Sequence, residues 1–249
     1  MNTTKSLKEK VAFVQGGSRG IGAAIVKRLV SEGAAVAFTY RSSPDEAQKL
    51  VEQMAAAGSN VIAIRADSAD PEALSQAIRQ TVEHFGKLDI LVNNAGVLPW
   101  GPLEDITLAE IDLALAVNIR GVIIASQEAV RHMSDGGRII NIGSINADRI
   151  PVAGGAVYAM TKASLVGFTK GLARDLGPRG ITVNNVQPGP VDTDMNPANG
   201  EAASQLTQLM ALGRYGKDEE VASFVAYLVG PEAGFITGAS LSIDGGFSA

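Results

Sequence analysis

The apolar positions of this chain fall in short unbroken runs, separated by longer stretches in which they recur every three or four residues. "VAFVQ" (11–15) is the first run; Ile21, Ile25, Leu29 and Val30 then keep helical spacing until Gly33 ends the pattern. "AAVAFTY" (34–40) is a second run. The alternation continues through a helix over 44–57, a strand "NVIAIRA" (60–66), a helix over 71–85 and a strand "LDILVNN" (88–94). A long helical stretch lies within 107–132. After it come strand "GRIINIG" (137–143), a helix around 156–176 and strand "ITVNNVQ" (181–187). Beyond "PGPVDTDMNPANG" the pattern gives short helices and a last strand near 239–243.

Strands that are apolar throughout and alternate with helices predict a mostly parallel sheet, here of seven strands, covered on both faces. Right-handed crossovers make it a doubly wound α/β fold of the Rossmann type, with its ligand site beyond the carboxyl ends of the strands. No linker, repeat or shift in composition interrupts the alternation, so one domain over residues 1–249 is expected.

Composition narrows the chemistry. At 46% hydrophobic and 19% charged residues the chain supports a large core. No apolar run is long enough to span a bilayer, and "MNTTKSLKEK" lacks the apolar core of a signal peptide, so a cytoplasmic protein without a membrane partner is expected. The chain has no cysteine, which removes disulfides, thiolate nucleophiles and Cys-ligated metals. The two histidines, His84 and His132, form no H-E-x-x-H pair, and a bound catalytic metal is not expected. A net charge of −5 without a Lys/Arg cluster argues against a nucleic-acid partner.

The first glycine turn fits two templates. "GGSRG" (16–20) read as G-x-S-x-G makes Ser18 the nucleophile of a hydrolase, but such a site needs a histidine placed beyond a strand end, and neither histidine lies there. "GGSRGIG" is also a turn that brings backbone N–H groups to a phosphate at a helix N-terminus, with Gly16, Gly20 and Gly22 spaced G-x3-G-x-G. Further along, "YAMTK" places Tyr158 and Lys162 four apart on one helix face. An ammonium beside a phenol favours phenolate and lowers its pKa, which suits a group that exchanges protons near neutral pH.

"GGSRGIG", "NNAG" (93–96), "VNIRG" (117–121), "NIGS" (141–144), "YAMTK" and "PGPVDT" (188–193) occur in this order. Together they resemble the short-chain dehydrogenase/reductase family, and the resemblance runs to "TGASLSIDGG" (237–246). It implies a catalytic tetrad of Asn118, Ser144, Tyr158 and Lys162. Tyr158 would be the general acid, Ser144 a donor to the same carbonyl oxygen, and Lys162 the ligand of the nicotinamide ribose. Asn118 would sit at a helix distortion holding a water for proton relay.

The resemblance also implies the cofactor contacts. Gly16, Ser18, Gly20, Ile21 and Gly22 would line the pyrophosphate, Asp67 the adenine, and Asn94, Ala95 and Gly96 the adenosine ribose. Pro188, Gly189, Val191 and Thr193 would surround the nicotinamide, beside Tyr158 and Lys162. Asp67 has an alternative reading as a helix N-cap. The residues themselves speak to phosphate choice. The end of the second strand reads "FTYRSS", so Tyr40, Arg41 and Ser42 stand where an NAD site would place an acid. With Arg19 in the glycine turn, two guanidiniums are available for a 2′-phosphate, and NADP(H) is the expected cofactor.

The substrate expected from the apolar "VLPW" (97–100) and "INADRIPV" (145–152) is an uncharged ketone or aldehyde, with Trp100 as pocket wall or as surface packing. Two other readings stay open on resemblance: the 3-oxoacyl-acyl-carrier-protein reductases, and a subgroup named for cyclic-di-GMP binding and biofilm dispersal. Either would have to recruit the scattered Arg131, Arg138, Arg174 and Arg179. Residues 194–216 are expected to form a lid, poorly ordered without ligands, with Met195 and Met210 adapting to the substrate. The family's homotetramer is expected to form through an apolar stripe of Leu165, Phe168 and Leu172.

Overall fold

In the computed structural model, which describes residues 6–249, seven strands form one parallel sheet in the order β3-β2-β1-β4-β5-β6-β7. They are β1 (Val11–Gln15), β2 (Ala35–Tyr40), β3 (Val61–Arg65), β4 (Leu88–Asn93), β5 (Met133–Ile142), β6 (Thr182–Pro188) and β7 (Ser240–Ile243). Every residue of β1, β4 and β6 is buried, as strands covered on both faces require.

Helices α1 (Gly20–Ser31), α2 (Pro44–Ala56) and α8 (Asp218–Val229) seal one face, around Phe38, Ile25 and Val225. On the other face α3 (Pro71–Phe85), α5 (Gly121–His132) and α6 (Ala156–Leu176) pack on Phe13, Leu91 and Ile139. Strand order reverses between β1 and β4, so the turns that follow these two strands flank a crevice at the carboxyl edge of the sheet. Among the described residues no helix is long and apolar enough to cross a membrane.

Two elements depart from the expected boundaries. β5 begins at Met133 rather than 137; its register with β4 jumps from Leu88↔Met133 to Ile90↔Arg138. The intervening "SDGG" reads as a turn but is accommodated as a bulge, with Gly136 at φ +80°. The stretch 107–132 is not one regular helix. It opens with a Thr107–Glu110 capping box, runs as α4 (Leu108–Leu115), widens into a π turn (Ala116–Arg120) and resumes as α5. A short α7 (Ala203–Gln208) follows β6.

The α6 stripe also departs from expectation. Leu165 is buried and Leu172 packs on the sheet core, with Phe168 half-buried. Leu165 and Leu172 therefore face inward, while Phe168 belongs to neither sheet core.

Candidate active site

β1 delivers the chain into a turn in which Gly16 and Gly20 have φ of +69° and +51°, a region that strains any side chain. A Cβ on Gly22 would lie 2.1 Å from the Gly16 carbonyl oxygen and 2.5 Å from Asn94 Nδ2. Only glycine lets α1 start this close to the strand. Gly17, passed over in the sequence pattern, is equally constrained, because a Cβ there would lie 2.5 Å from the Phe38 side chain.

The turn is held from outside. The Gly16 N–H donates to Thr39 Oγ1 and the Gly17 N–H to the Thr39 carbonyl, both at 2.9 Å. Asn94 Nδ2 donates to the carbonyls of Gln15 (3.2 Å) and Gly16 (2.9 Å), and Ala95 presses on Gly16. Thr39 escaped the sequence reading; its signal was a lone polar side chain in the buried run "AVAFTY". α1 then starts with no acidic residue in its first turn and no side-chain cap at Arg19. The N–H groups of Gly20, Ile21 and Gly22 therefore present the positive end of the helix, suited to an anion.

The hydrolase template does not survive. His84 and His132 sit in the last turns of α3 and α5, at the opposite edge of the sheet from the turn, and His132 bonds Glu128 at 3.0 Å. Ser18 instead shares a 2.7 Å hydrogen bond with Ser43, the residue preceding α2. Ser43 was missed because its partner lies 25 residues away. Beside this pair Arg19, Arg41 and Ser42 are exposed and Tyr40 half-buried, and no salt bridge among the described residues engages either arginine. Asp67 does not cap α3: Asp70 does, accepting from the N–H groups of Glu72 and Ala73. Asp67 accepts from the Ala69 N–H at 2.9 Å, which shapes the loop after β3.

Across the crevice the four tetrad positions converge. The π turn holds Asn118, 1% exposed, where its amide bonds both the N–H and the carbonyl of Val97 (each 2.9 Å) and Thr161 Oγ1 (3.0 Å). The Thr161 hydroxyl passes on to the Tyr158 carbonyl at 2.7 Å. A Cβ on Gly96 would lie 3.5 Å from both Asn118 Oδ1 and Lys162 Nζ, so the "NNAG" loop covers this polar pair. Ser144, at the end of β5, accepts from the Asn146 N–H at 3.1 Å.

Lys162 is buried, and its ammonium donates to the Ile142 carbonyl at 2.9 Å. Burial pulls its pKa down to about 8. Tyr158 is half-buried, with Lys162 Nζ 5.8 Å from its ring centroid. Here the expectation fails in sign: burial pushes the phenol above 10, and the opposing influence is the Ser144 hydroxyl rather than the ammonium. One N–H of the ammonium is directed at a β5 carbonyl, and desolvation is the larger influence on the phenol.

The remaining residues close the crevice. Pro188 ends β6, and a Cβ on Gly189 would lie 2.7 Å from Asp244 Cα. Val191 bridges to Gly216, and Thr193 faces the glycine turn, its Cγ2 lying 3.4 Å from where a Gly20 Cβ would be. Trp100 packs against the loop that precedes α6. Its indole lies so close to Gly154 and Gly155 that a Cβ on either would approach within 3 Å of the ring, yet it stays 42% exposed beside the Tyr158 helix. Met195 is exposed, whereas Met210, also expected to adapt to substrate, is buried in a cluster with Ala203 of α7.

A family model described as enoyl-(acyl carrier protein) reductase matches residues 16–248. The chain belongs to the short-chain dehydrogenase/reductase family. It is 51% identical over 240 residues to the cyclic-di-GMP-binding biofilm dispersal mediator protein of Escherichia coli K12, covering 96% of this chain and 98% of the relative. A short-chain dehydrogenase/reductase from Serratia marcescens BCRC 10948 superposes with a TM-score of 0.97 at 70% identity, covering 98% of this chain and 100% of that one. A short chain dehydrogenase from Burkholderia cenocepacia J2315, solved in complex with NADP, gives 0.97 at 56% identity with the same coverage.

Proposed function

We propose that this protein, acting as one domain, is an NADPH-dependent reductase of uncharged ketones or aldehydes. The observation that carries this reading is the meeting of Ser144, Tyr158 and Lys162 opposite a glycine turn built for a phosphate. The residues present fit a dinucleotide. The start of α1 offers its N–H groups to the pyrophosphate, Arg19 and Arg41 are exposed for a 2′-phosphate and in no salt bridge among the described residues, and Thr193 faces the turn from the nicotinamide side. The Burkholderia relative crystallised with NADP supports the same choice. NADPH, when bound, supplies the hydride.

The chain supplies the rest. Tyr158, kept protonated by burial, gives its proton to the carbonyl oxygen as negative charge builds there. The Ser144 hydroxyl donates to the same oxygen. Lys162 holds the ribose hydroxyls. Asn118 fixes the Val97 loop, and the surrounding π turn is the place for a water that returns a proton toward Lys162. Consumption of NADPH against a panel of neutral ketones tests the proposal, and no turnover with any of them would reject it.

The Lys162 pKa near 8 gives a pH test. The amine is charged below that value and neutral above it. Because kcat/KM for NADPH reports ionisations of the free enzyme, it is expected to fall as pH rises through about 8. A profile flat to pH 10 would remove Lys162 from cofactor binding.

The Escherichia coli relative is named for binding cyclic-di-GMP. In this chain three of the four arginines such a ligand or an acidic carrier protein would recruit are already engaged. Arg131 pairs with Glu128, Arg179 with Asp135 and two carbonyls, and Arg138 with the Gly136 and Gly137 carbonyls. This favours turnover of a small neutral substrate.

Assembly as a homotetramer is also proposed, with a different surface from the α6 stripe. Leu108, Leu115 and Ile123 are exposed on α4 and α5, and Tyr227 and Phe235 on and after α8. Two separate apolar surfaces would supply the two isologous contacts that a dihedral tetramer needs. Light scattering is expected to give about four times 25.8 kDa. A monomer at micromolar concentration would refute it.

A further inference from the structure

Residues 245–249 lie outside every role assigned so far, yet with Asp244 they touch both the Ser144 loop and the segment 194–216. Asp244 organises them: its carboxylate accepts from the Gly246 N–H (3.0 Å), the Ser248 N–H (2.9 Å) and the Ser248 hydroxyl (2.6 Å). The resulting turn drives Phe247 into a small cluster, separate from the two faces of the sheet, with Ile145, Met210, Tyr215 and Leu206. Phe247 is 2% exposed. Ile145 follows Ser144 directly, and the other three belong to the segment 194–216.

A second contact ties the same ring to the Ser144 loop. The Arg149 guanidinium lies 5.7 Å from the Phe247 ring centroid and donates to the Phe247 carbonyl. The Arg149 N–H in turn donates to the Ile145 carbonyl at 3.0 Å. On the far side the Leu212 N–H donates to the Gly245 carbonyl at 3.0 Å, and Gly246 sits so close to Ala211 that a Cβ on it would approach to 2.6 Å. The segment 194–216 is itself closed at its neck by the Val191–Gly216 bridge and by the Tyr215 hydroxyl donating to Asn196 Oδ1.

We infer that Phe247 is a positioning residue, a brace that makes the Ser144 loop and the covering segment 194–216 move as one body. The Ser144 hydroxyl oxygen accepts from the Asn146 N–H at 3.1 Å, a contact inside its own loop. The Ser144 carbonyl accepts from the Ala147 N–H at 3.0 Å, also within the loop, and distantly from Gln187 Nε2 at 3.4 Å, so the packing of Ile145 in the Phe247 cluster sets where the loop, and with it the hydroxyl, sits. When segment 194–216 lifts, the cluster opens and the donor loses its aim. Closure of the site and competence of Ser144 are thereby linked, without Phe247 touching substrate.

This inference rests on the reductase reading for its kinetic consequence but not for its structural one, and the test separates the two. Phe247→Ala is expected to lower kcat for ketone reduction about tenfold, since displacements of an ångström at a reacting centre carry costs of this order or more. KM for NADPH should stay within about twofold, because the glycine turn is untouched, and Phe247→Leu, which refills most of the volume, should recover most of the rate. Hydrogen exchange on the same variants reads the coupling directly: amides of 147–149 and of 206–212 are expected to lose protection together, while those of β1 and β4 do not change. Arg149→Gln, which leaves the ring in place, should show the same paired loss in weaker form and stands in if Phe247→Ala does not fold.

Unchanged kcat in a folded Phe247→Ala protein would overturn the inference. So would faster exchange in 206–212 with 147–149 still protected, since the cluster would then only pack the covering segment. A wild-type protein inactive on ketones would refute the proposed reaction and leave the exchange result to decide the brace.

Discussion

Tyr158→Phe is expected to lower kcat by about 10²–10⁴-fold, the usual scale for removing a positioned general acid. The reason lies in two observations. Burial holds the phenol protonated well past neutral pH, so at the working pH it is a donor without needing a partner to charge it. The surrounding polar groups have other partners: one Lys162 N–H bonds the Ile142 carbonyl and the others face the ribose hydroxyls in the proposed complex, while Asn118 bonds Val97 and Thr161. Ser144, which donates to the same oxygen, is a far weaker acid than a phenol, so it polarises that oxygen without replacing the lost proton. The substitution removes one oxygen and leaves the ring, so the packing of α6 and the glycine turn should persist and NADPH affinity should change little. Near wild-type turnover by Tyr158→Phe would overturn the assignment. A Ser18→Ala control should keep the chemical step, because Ser18 bonds Ser43 at the far end of the crevice.

The parts of this protein legible in its sequence are those decided by local pattern. β1, β4 and β6 are apolar throughout because both faces are covered, and unbroken runs of that kind have few other uses. Gly33 and Gly86 end α1 and α3 in the left-handed region, where glycine is preferred. The failures share a physical cause, which is that the deciding partner is distant in sequence. Tyr158 and Lys162 do share a helix face, but the ammonium is turned to a carbonyl 20 residues earlier, and burial then sets the sign of both shifts. Thr39 and Ser43 look like ordinary strand and turn residues until Gly16 and Ser18 are folded against them. The α6 stripe has the right spacing for an interface, yet periodicity does not say whether a sheet or a second subunit lies opposite.

Replacing Arg41 with aspartate is expected to swing cofactor preference from NADPH toward NADH by roughly 10- to 100-fold, the equivalent of losing one charge-assisted bond of about 1.5–3 kcal/mol. Arg41 follows β2 directly, at the strand end where an acid would otherwise accept from the ribose 2′-hydroxyl. It is exposed and outside every salt bridge of the described residues, so its removal should cost little stability and its charge is free for a ligand. The neighbourhood favours a phosphate in a second way. Ser43 commits its hydroxyl to Ser18 instead of capping α2, and this holds the Arg19 turn and the Arg41 loop together as one surface. Aspartate at position 41 repels a 2′-phosphate and supplies the missing acceptor for a hydroxyl, so both cofactors should respond in opposite directions. Measuring kcat/KM for NADPH and NADH on the same ketone reads this as a ratio. Arg19→Ala should weaken NADPH use in the same sense but without the gain for NADH, since it removes a cation and adds no acceptor. If the ratio for Arg41→Asp stays at its wild-type value, Arg41 faces water alone and the 2′-phosphate is held by other groups.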